Sequence, residues 1–309
     1  MNTIIKVTSP SFSKSMVLKK ELLEKFPGTI FNTEGVRFSD EELIEYLKSA
    51  DGAIIGLENM SEAVLSKLPN LKILSKYGVG LDGVNIDYCV NNNVKLGWLP
   101  GVNKRSASEL TLCFMMGLTR NVFNSSYKIK INNIWDKVGG FELTGKTVGI
   151  IGVGHVGKDL ISLLKGFKCK ILVNDIVNQD KYYSANNLEK CDKDRIFRES
   201  DVITLHVPHT QETHHLVNKD SLAKMKKTAF LVNVSRGKVV DQDALKFALE
   251  EELIAGAALD VFEEEPPEDI DFIALNNLAC TPHIGGNSEE AVLSMGRSAI
   301  LHLEEFFST

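Results

Sequence analysis

The sequence predicts an α/β protein with two doubly wound parallel-sheet domains. Short apolar runs alternate with helical patterns from one end of the chain to the other, as in proteins whose parallel strands are joined by helices. The chain has 309 residues, which is more than one ordinary domain contains. The apolar runs also fall into two successive series. We therefore expect two βα domains.

The first series predicts four strands and a long helix. Ser39, followed by Glu41 and Glu42, is typical of a helix N-terminus and precedes the second strand. A longer helix is expected from about Arg105 to Arg120. The four predicted strands are IIKVT (4–8), GAIIG (52–56), LKILSKYG (71–78) and NVKLGWLP (93–100).

The second series predicts six strands and ends in a helix at 288–307. We expect that helix to return to the first domain. Residues 100–284 would then form one domain inserted into another, which consists of 1–99 and 285–309. The six predicted strands are KTVGIIGVG (146–154), KILVND (170–175), DVITLHVP (201–208), TAFLVNVS (228–235), IAGAALDVF (254–262) and LACTPHIGG (278–286).

The composition excludes several classes of protein. Hydrophobic residues make up 43% and charged residues 25%, as in a packed globular protein. The net charge of −6 argues against a nucleic acid or an anionic membrane as the main partner. No apolar run approaches the roughly 20 residues of a membrane span, and the N-terminus lacks the apolar core of a secretory signal. Five scattered cysteines without a CxxC suggest reduced thiols, so we expect a cytoplasmic protein without a metal site.

One turn of the second series carries glycines at a functional spacing. Gly152-x-Gly154-x-x-Gly157 follows the strand VGII and precedes a helical pattern, and the next strand ends in Asp175, 23 residues after Gly152. In a dinucleotide site these glycines allow a tight turn, a close approach to the pyrophosphate and packing of helix on strand. The acidic residue binds the ribose hydroxyls. The alternative is a plain βα turn with an exposed aspartate.

The residues around this turn favour one cofactor. Ile176 and Val177 follow Asp175 and provide no cation for a 2′-phosphate, so NAD is predicted rather than NADP. The positive end of the helix dipole would face the phosphates. His155, inside the turn, is interpreted as a solvent-facing turn residue rather than a catalyst.

Three polar side chains stand where predicted strands end. They are Arg236 after FLVNVS, Glu265 after AALDVF and His283 after LACTP. Carboxyl ends of neighbouring parallel strands line one crevice, so these distant residues can converge. An arginine grips a carboxylate, and a histidine backed by a carboxylate is a general acid/base near neutral pH. Together they predict binding and protonation of a 2-oxo acid. Taken singly, each has an alternative: a surface ion pair, a solvated acidic loop or a core histidine.

Seven motifs stand in order along nearly the whole chain. They are KYGVGLDGVNID (76–87), GVNKRSASELTL (101–112), the GVGHVG turn with Asp175, LHVPHTQETHHLVN (205–218), NVSRGKVVD (233–241), ALDVFEEEP (258–266) and TPHIGG (281–286). They resemble the D-isomer-specific 2-hydroxyacid dehydrogenases, which include 3-phosphoglycerate dehydrogenase, glycerate and hydroxypyruvate reductases and D-lactate dehydrogenase. The resemblance implies a Rossmann NAD-binding domain at 100–284, inserted into a flavodoxin-like substrate domain at 1–99 and 285–309.

The resemblance implies roles on the substrate side. Arg236 looks like the arginine that binds the substrate carboxylate and polarises its carbonyl. His283 looks like the general acid/base, and Glu265 like its carboxylate partner. The backbone at Val79 and Gly80 resembles the loop that donates hydrogen bonds to the substrate carboxylate.

Two other residues bear on the substrate. Asn103 matches the family asparagine at the hinge and the active-site cleft, which would close with hinges near Pro100 and Gly285–Gly286. Lys76 stands where phosphoglycerate dehydrogenases typically carry an arginine that helps hold the substrate phosphate. Its alternative is a surface lysine after a strand. Because the sequence ends at Thr309, we expect no C-terminal regulatory domain.

The resemblance also implies contacts to NAD. His155 and Val156 stand where backbone amides meet the pyrophosphate, and Gly286 closes the TPHIGG loop over the nicotinamide ring. Further expected contacts are His206, Val207, Pro208 and Thr213 along the adenosine, and Val234, Ser235, Arg236, Asp260 and His283 towards the nicotinamide.

Three positions depart from the family pattern. His209 replaces the leucine usual in LHxPLT, Ser235 stands where threonine or alanine is frequent, and His155 stands where arginine is usual, which is expected to weaken one phosphate contact. None of these changes removes a catalytic group. Glu265 argues against formate as substrate, because the formate-specific branch pairs its histidine with glutamine.

We therefore expect a NAD-dependent oxidoreductase that interconverts a D-2-hydroxy acid and its 2-oxo acid, with 3-phosphoglycerate as one candidate. The alternatives are a glyoxylate/hydroxypyruvate or D-lactate type reductase and, from another class, a NAD-sensing regulatory protein of the corepressor kind. The resemblance implies a homodimer formed through the NAD-binding domain, with the helix at 105–120 and the segment Phe123–Trp135 as contributors.

Overall fold

The computed structural model describes residues 3–308, which form two compact units. The first unit contains residues 3–103 and 286–308, and the second contains residues 104–285. Each unit is built on one sheet whose strands all pair in parallel. This confirms the predicted fold class.

The first unit has five strands. Ile5–Val7 (β1), Ile30–Phe31 (β2), Gly52–Ile55 (β3), Ile73–Lys76 (β4) and Lys95–Gly97 (β5) are these strands. They lie in the order β2-β1-β3-β4-β5, which is the flavodoxin-like order. Four of them coincide with the predicted runs. The two-residue β2 was not predicted, because it is too short to show an apolar pattern.

Five helices follow the strands of this unit. They are Pro10–Lys14 (α1), Met16–Lys25 (α2), Asp40–Leu47 (α3), Glu62–Leu65 (α4) and Ile86–Asn91 (α5). The start of α3 confirms the sequence prediction. The hydroxyl of Ser39 accepts a hydrogen bond from the backbone N–H of Glu42, and the Glu42 carboxylate accepts one from the Ser39 N–H.

The second unit begins with helices and then builds a seven-stranded sheet. Its helices are Lys104–Thr119 (α6), Val122–Asn132 (α7), His155–Leu164 (α8), Asp180–Ala185 (α9), Lys193–Glu199 (α10), Lys219–Lys224 (α11), Gln242–Glu250 (α12) and Ile270–Ile273 (α13). Its strands are Thr147–Ile151 (β6), Lys170–Asn174 (β7), Glu189–Lys190 (β8), Val202–Leu205 (β9), Phe230–Asn233 (β10), Gly256–Leu259 (β11) and Leu278–Cys280 (β12).

The strand order of the second unit places the functional loops. It is β12-β11-β10-β9-β6-β7-β8, so the order reverses between β6 and β9. This is the Rossmann arrangement, in which ligands bind outside the carboxyl ends of the strands at that reversal. The four residues of β9 and of β11 are fully buried, because helices cover both faces of the sheet.

The last helix, Glu289–Phe307 (α14), belongs to the first unit. Ser75 in β4 donates its hydroxyl to the carbonyl oxygen of Ala299 in α14 over 2.7 Å, and both residues are buried. Among residues 3–308, no helix has the length and apolar composition needed to cross a bilayer.

Candidate active site

The turn between β6 and α8 has the geometry that its glycines predict. Gly152 has a φ of +96°, and a Cβ there would lie 2.4 Å from the carbonyl oxygen of His206. A Cβ on Gly157 would lie 2.3 Å from the carbonyl oxygen of Gly152. Gly154 is different, because a Cβ there would meet no described atom within 4 Å. The turn therefore leaves open space at the one glycine that is expected to face the pyrophosphate.

The N-terminus of α8 is suited to bind phosphate. Gly154 is its N-cap, and no side chain in the described part of the chain caps it with a hydrogen bond. The first N–H groups of the helix therefore remain available to an anion, and the helix dipole favours negative charge there. His155 is exposed, as predicted, but it is the first residue of α8 rather than part of the turn, and Val156 is half-buried.

Asp175 follows β7 and is half-buried beside the turn. Its Oδ2 accepts the N–H of Val153 over 2.6 Å, and its Oδ1 accepts the N–H of Val177 over 2.8 Å. A carboxylate has about four acceptor positions, so two remain for ribose hydroxyls. Ile176, next to Asp175, is fully exposed and carries no charge. These residues fit a dinucleotide without a 2′-phosphate.

The segment after β9 forms an ordered loop. Burial lowers the pKa of His206 to about 4, so its imidazole is neutral, and its Nε2 lies 3.1 Å from the hydroxyl of Thr204. The Thr213 hydroxyl donates to the carbonyl of Pro208 over 2.6 Å and accepts the N–H of Thr210 over 2.7 Å. Val207 is half-buried and Pro208 exposed. The contacts predicted between this loop and adenosine stay predictions.

His209, the departure from the usual leucine, belongs to a histidine cluster in the same loop. Its Nε2 lies 3.2 Å from Nδ1 of His214, and the ring of His214 stacks on that of His215 at 3.9 Å. No group of three or more metal-ligating side chains with a suitable arrangement occurs among the described residues. The three histidines contact one another through their rings.

The turn that carries Arg236 is held by the side chain of Asn233, a role that the sequence did not predict. Asn233, the last residue of β10, is fully buried. Its Oδ1 accepts the hydroxyl and the N–H of Ser235, and its Nδ2 donates to the carbonyl of Arg236 over 2.8 Å. Val234, between them, is half-buried. In the sequence, this role of Asn233 is indicated only by the presence of one amide side chain at the end of the apolar strand β10.

The Arg236 turn packs directly against the loop that carries Glu265. A Cβ on Gly237 would lie 1.8 Å from the carbonyl oxygen of Phe262, so only glycine fits at this contact. The Phe262 N–H in turn donates to Oε1 of Glu265 over 3.2 Å. Arg236 is half-buried, and its Nη1 donates to the carbonyl of Ser235 over 2.7 Å. The ends of β10 and β11 are thereby held together.

Glu265 and His283 form a hydrogen-bonded pair. Nδ1 of His283 lies 2.8 Å from Oε2 of Glu265, and about two fifths of each side chain is exposed to solvent. His283 has a φ of +54°, an uncommon conformation for a residue with a side chain. Its N–H is held by the carbonyl of Asp260 over 2.8 Å. Glu265 and the Asp260 carbonyl therefore fix the ring and the backbone of His283.

The charges of this cluster are coupled. The hydrogen bond to Glu265 raises the pKa of His283, opposed by burial and by the charge of Arg236. Burial disfavours ionisation of Glu265, but the hydrogen bond and charge of His283, with a smaller contribution from Arg236, leave its pKa lowered. The three residues are therefore close enough to affect each other's ionisation. The arrangement favours an imidazolium beside a carboxylate near neutral pH.

Asp260 organises the loop that carries His283. It is 1% exposed, and its carboxylate accepts the hydroxyl of Thr281 over 2.6 Å. It also accepts the N–H groups of Ile284 and Gly285, each over 2.7 Å. The sequence did not predict this positioning role, because the partners of Asp260 are three separate residues of the TPHIGG motif. The predicted contact of Asp260 with the cofactor stays a prediction.

In the first unit, Lys76 ends β4 and is buried, with 6% of its surface exposed. Its ammonium group donates to the carbonyl of Gly56, just beyond β3. The alternative of a surface lysine is therefore wrong. Val79 and Gly80 lie in the half-buried loop after β4. The predicted substrate contacts of these three residues stay predictions.

Asn103 and Gly286 meet within the first unit. A Cβ on Gly286 would lie 2.6 Å from Nδ2 of Asn103, so the glycine allows a close approach of the two segments that join the units in sequence. Their predicted roles in substrate and cofactor binding stay predictions. The sequence could not predict this contact, because the two residues are far apart in the chain.

Comparison with known proteins agrees with this geometry. The sequence pattern of the family described as "D-isomer specific 2-hydroxyacid dehydrogenase, NAD binding domain" matches residues 112–285. A glyoxylate reductase of Thermofilum pendens is 38% identical over 274 residues, which cover 86% of this chain and 80% of the relative.

Two further similarities are informative. A D-3-phosphoglycerate dehydrogenase of Methanocaldococcus jannaschii is 35% identical over 83% of this chain, which spans 49% of that longer relative. The crystal structure of D-lactate dehydrogenase from Aquifex aeolicus, complexed with NAD and lactic acid, superposes with a TM-score of 0.85. It is 25% identical, and the match covers 99% of this chain and 96% of that one. The chain therefore belongs to the D-isomer-specific 2-hydroxyacid dehydrogenases, enzymes that interconvert 2-hydroxy and 2-oxo acids with NAD.

Proposed function

We propose that the protein reduces a small unphosphorylated 2-oxo acid, of the glyoxylate or hydroxypyruvate kind, to its D-2-hydroxy acid. The observation that supports the chemistry is the 2.8 Å pair of Glu265 and His283, coupled to Arg236 at the carboxyl ends of neighbouring strands. The similarity to glyoxylate reductases supports the choice of substrate.

Each residue has a separate task in this proposal. Arg236 binds the substrate carboxylate with its planar guanidinium and polarises the neighbouring carbonyl. His283, kept protonated by Glu265, donates a proton to the carbonyl oxygen. Bound NADH supplies the hydride for the carbonyl carbon. The proton and the hydride together convert C=O into CH–OH, so no further reactant is needed.

A phosphorylated 2-oxo acid is the second candidate. Lys76 is a buried cation at the carboxyl edge of the first unit's sheet, and a buried ammonium group is rarely placed without a function or a partner. The carbonyl of Gly56 satisfies one of its three donors. The positive charge of this group would attract a substrate phosphate bound at the same edge.

The substrate can be decided by NADH oxidation with a panel of 2-oxo acids: glyoxylate, hydroxypyruvate, 3-phosphohydroxypyruvate, pyruvate and branched acids. We expect the highest kcat/KM with glyoxylate or hydroxypyruvate, and little change of that value in Lys76→Met. A preference for 3-phosphohydroxypyruvate would instead make Lys76 a phosphate ligand. Lys76→Met should then lower kcat/KM for that substrate about 10- to 100-fold, the value of a charge-assisted hydrogen bond.

The same panel addresses the regulatory alternative. A NAD-sensing protein of the corepressor kind would bind NADH and turn over none of these acids. Turnover of any acid on the panel at enzymatic rates would remove that alternative, while silence with intact NADH binding would favour it over the proposed reaction.

We also propose a homodimer formed through the second unit. The helix α7 has no buried residue, and the segment around it exposes large apolar side chains. These are Val122, Tyr127, Ile129, Ile131, Ile134, Trp135 and Val138. So large an apolar surface is unusual on a monomer, and a second copy of the chain would cover it. The cytoplasmic location suggested by five unpaired cysteines also stays a prediction.

The dimer predicts a solution mass near twice the 34.2 kDa of the chain, measured by light scattering after gel filtration. Ile131→Asp should shift the protein towards the monomer, because it places a charge in the apolar surface. Leu301→Asp changes a leucine of the first unit that is 50% exposed, against 66% for Ile131, and should leave the mass unchanged. A wild-type mass near 34.2 kDa would contradict the proposal.

A further inference from the structure

A tryptophan holds the middle of the loop that follows β4. Trp98 comes directly after β5, and its indole Nε1 donates a hydrogen bond to the carbonyl oxygen of Val79 over 3.0 Å. Strands β4 and β5 pair in parallel, so both segments leave the same edge of the sheet. The contact lies within the first unit.

The ends of this loop are fixed by other bonds. At its start, the N–H of Tyr77 donates to the carbonyl of Ile55 over 2.9 Å. At its end, the N–H of Met60 donates to the carbonyl of Gly83 over 2.6 Å. Residues 78–81 between these anchors are partly exposed. The bond from Trp98 acts on this central part.

The consequence follows from the geometry of the peptide unit. The carbonyl of Val79 and the N–H of Gly80 belong to one planar trans peptide, in which they point in opposite directions. A donor that fixes the carbonyl therefore also fixes the direction of the N–H. Accepting a hydrogen bond at the oxygen polarises the same peptide and strengthens its N–H as a donor. Without such a restraint, a peptide next to glycine rotates easily.

We propose that Trp98 is a positioning residue that sets the Val79–Gly80 peptide, so that the Gly80 N–H points at the substrate carboxylate. This rests on the proposed function and on the contact of this loop with the substrate carboxylate that the family resemblance implies. Trp98 does not touch the reacting atoms. Its side chain is 37% exposed, so it contributes less to the core than a buried tryptophan does.

The test compares two substitutions at the same position. Trp98→Phe keeps an aromatic ring and removes the N–H. Trp98→His keeps a five-membered ring whose Nε2–H can occupy the place of the indole N–H. Steady-state NADH oxidation with the best 2-oxo acid gives KM and kcat for wild type and both variants. Thermal unfolding and the KM for NADH report on structure and on the cofactor site.

We expect Trp98→Phe to raise the KM for the 2-oxo acid about five-fold, the effect of losing one neutral hydrogen bond. The kcat should change little, because a carboxylate is held equally before and during the reaction. The KM for NADH and the unfolding temperature should stay near wild type. Trp98→His should recover most of the lost affinity.

Other outcomes overturn the proposal. An unchanged KM for the 2-oxo acid in Trp98→Phe means that the N–H does not position the loop. Equal losses in both variants, or a matching rise of the KM for NADH, indicate a general packing role instead. In each of these cases the wild-type enzyme still reduces its substrate, so the proposed function stands. A wild type that reduces no 2-oxo acid removes the proposed function and this inference together.

Discussion

His283→Ala should lower kcat for reduction of the 2-oxo acid by about 10²- to 10⁴-fold, the usual contribution of a positioned general acid. Its ring is aligned by Glu265 at 2.8 Å, and its backbone N–H is held by the carbonyl of Asp260. The KM for the substrate should change much less, because Arg236 still binds the carboxylate. NADH should still bind, since the glycine turn and Asp175 are unaltered. A near-normal kcat would reject the assignment.

The pH dependence provides an independent check of the same residue. Reduction needs the imidazolium form, so kcat/KM should be constant below the raised pKa of His283 and fall as the pH rises through it. Glu265→Gln removes the main cause of the raised pKa, so the fall should move to lower pH. If the profile of Glu265→Gln coincided with that of wild type, the pair would not control the proton.

Arg236→Ala should lower kcat/KM by about 10²- to 10⁴-fold. The guanidinium is expected to make two charge-assisted hydrogen bonds to the substrate, each worth roughly 1.5–3 kcal/mol. Because the arginine binds the carboxylate and also polarises the carbonyl, both KM and kcat should deteriorate. Arg236→Lys keeps the charge without the planar fork, so its kcat/KM should lie between those of wild type and Arg236→Ala. Steady-state kinetics with the best 2-oxo acid measure all three proteins.

A second arginine of the same unit provides the control. Arg198 lies on α10 with its side chain 56% exposed and an ion pair to Asp194. Such exposed pairs contribute little, so Arg198→Ala should keep wild-type kinetics. If Arg236→Ala behaved like Arg198→Ala, the carboxylate of the substrate would be bound elsewhere, and the proposed mechanism would fail.

The fold was predictable because its signals are local. Strands buried on both faces appear as continuous apolar runs, and β3, β9 and β11 are buried at each of their four positions. The glycine turn before α8 is contiguous in sequence, and each glycine can be interpreted by its spacing alone. The two-residue strands β2 and β8 were missed, because they are too short for any periodicity.

The sequence predicted only those site residues that come shortly after a strand. Arg236, Glu265 and His283 each follow a strand, and parallel strands bring such residues to one edge. The positioning roles of the residues that hold them were not predicted. The side chains of Asn233 and Asp260 form hydrogen bonds with backbone groups of the loops that carry Arg236 and His283. The spacing of residues in the sequence does not show which backbone groups a side chain will meet.

The sequence alone determined the fold class, the glycine turn before α8 and the family, because these depend on patterns within short segments or on ordered motifs. Tertiary structure decided what depends on contacts between distant segments. Lys76 could be a surface residue or a buried cation until its burial between neighbouring strands was known. The hydrogen bond from Trp98 to Val79 joins residues on two different strands. Such contacts depend on how the chain returns to one edge of a sheet, which no local pattern specifies.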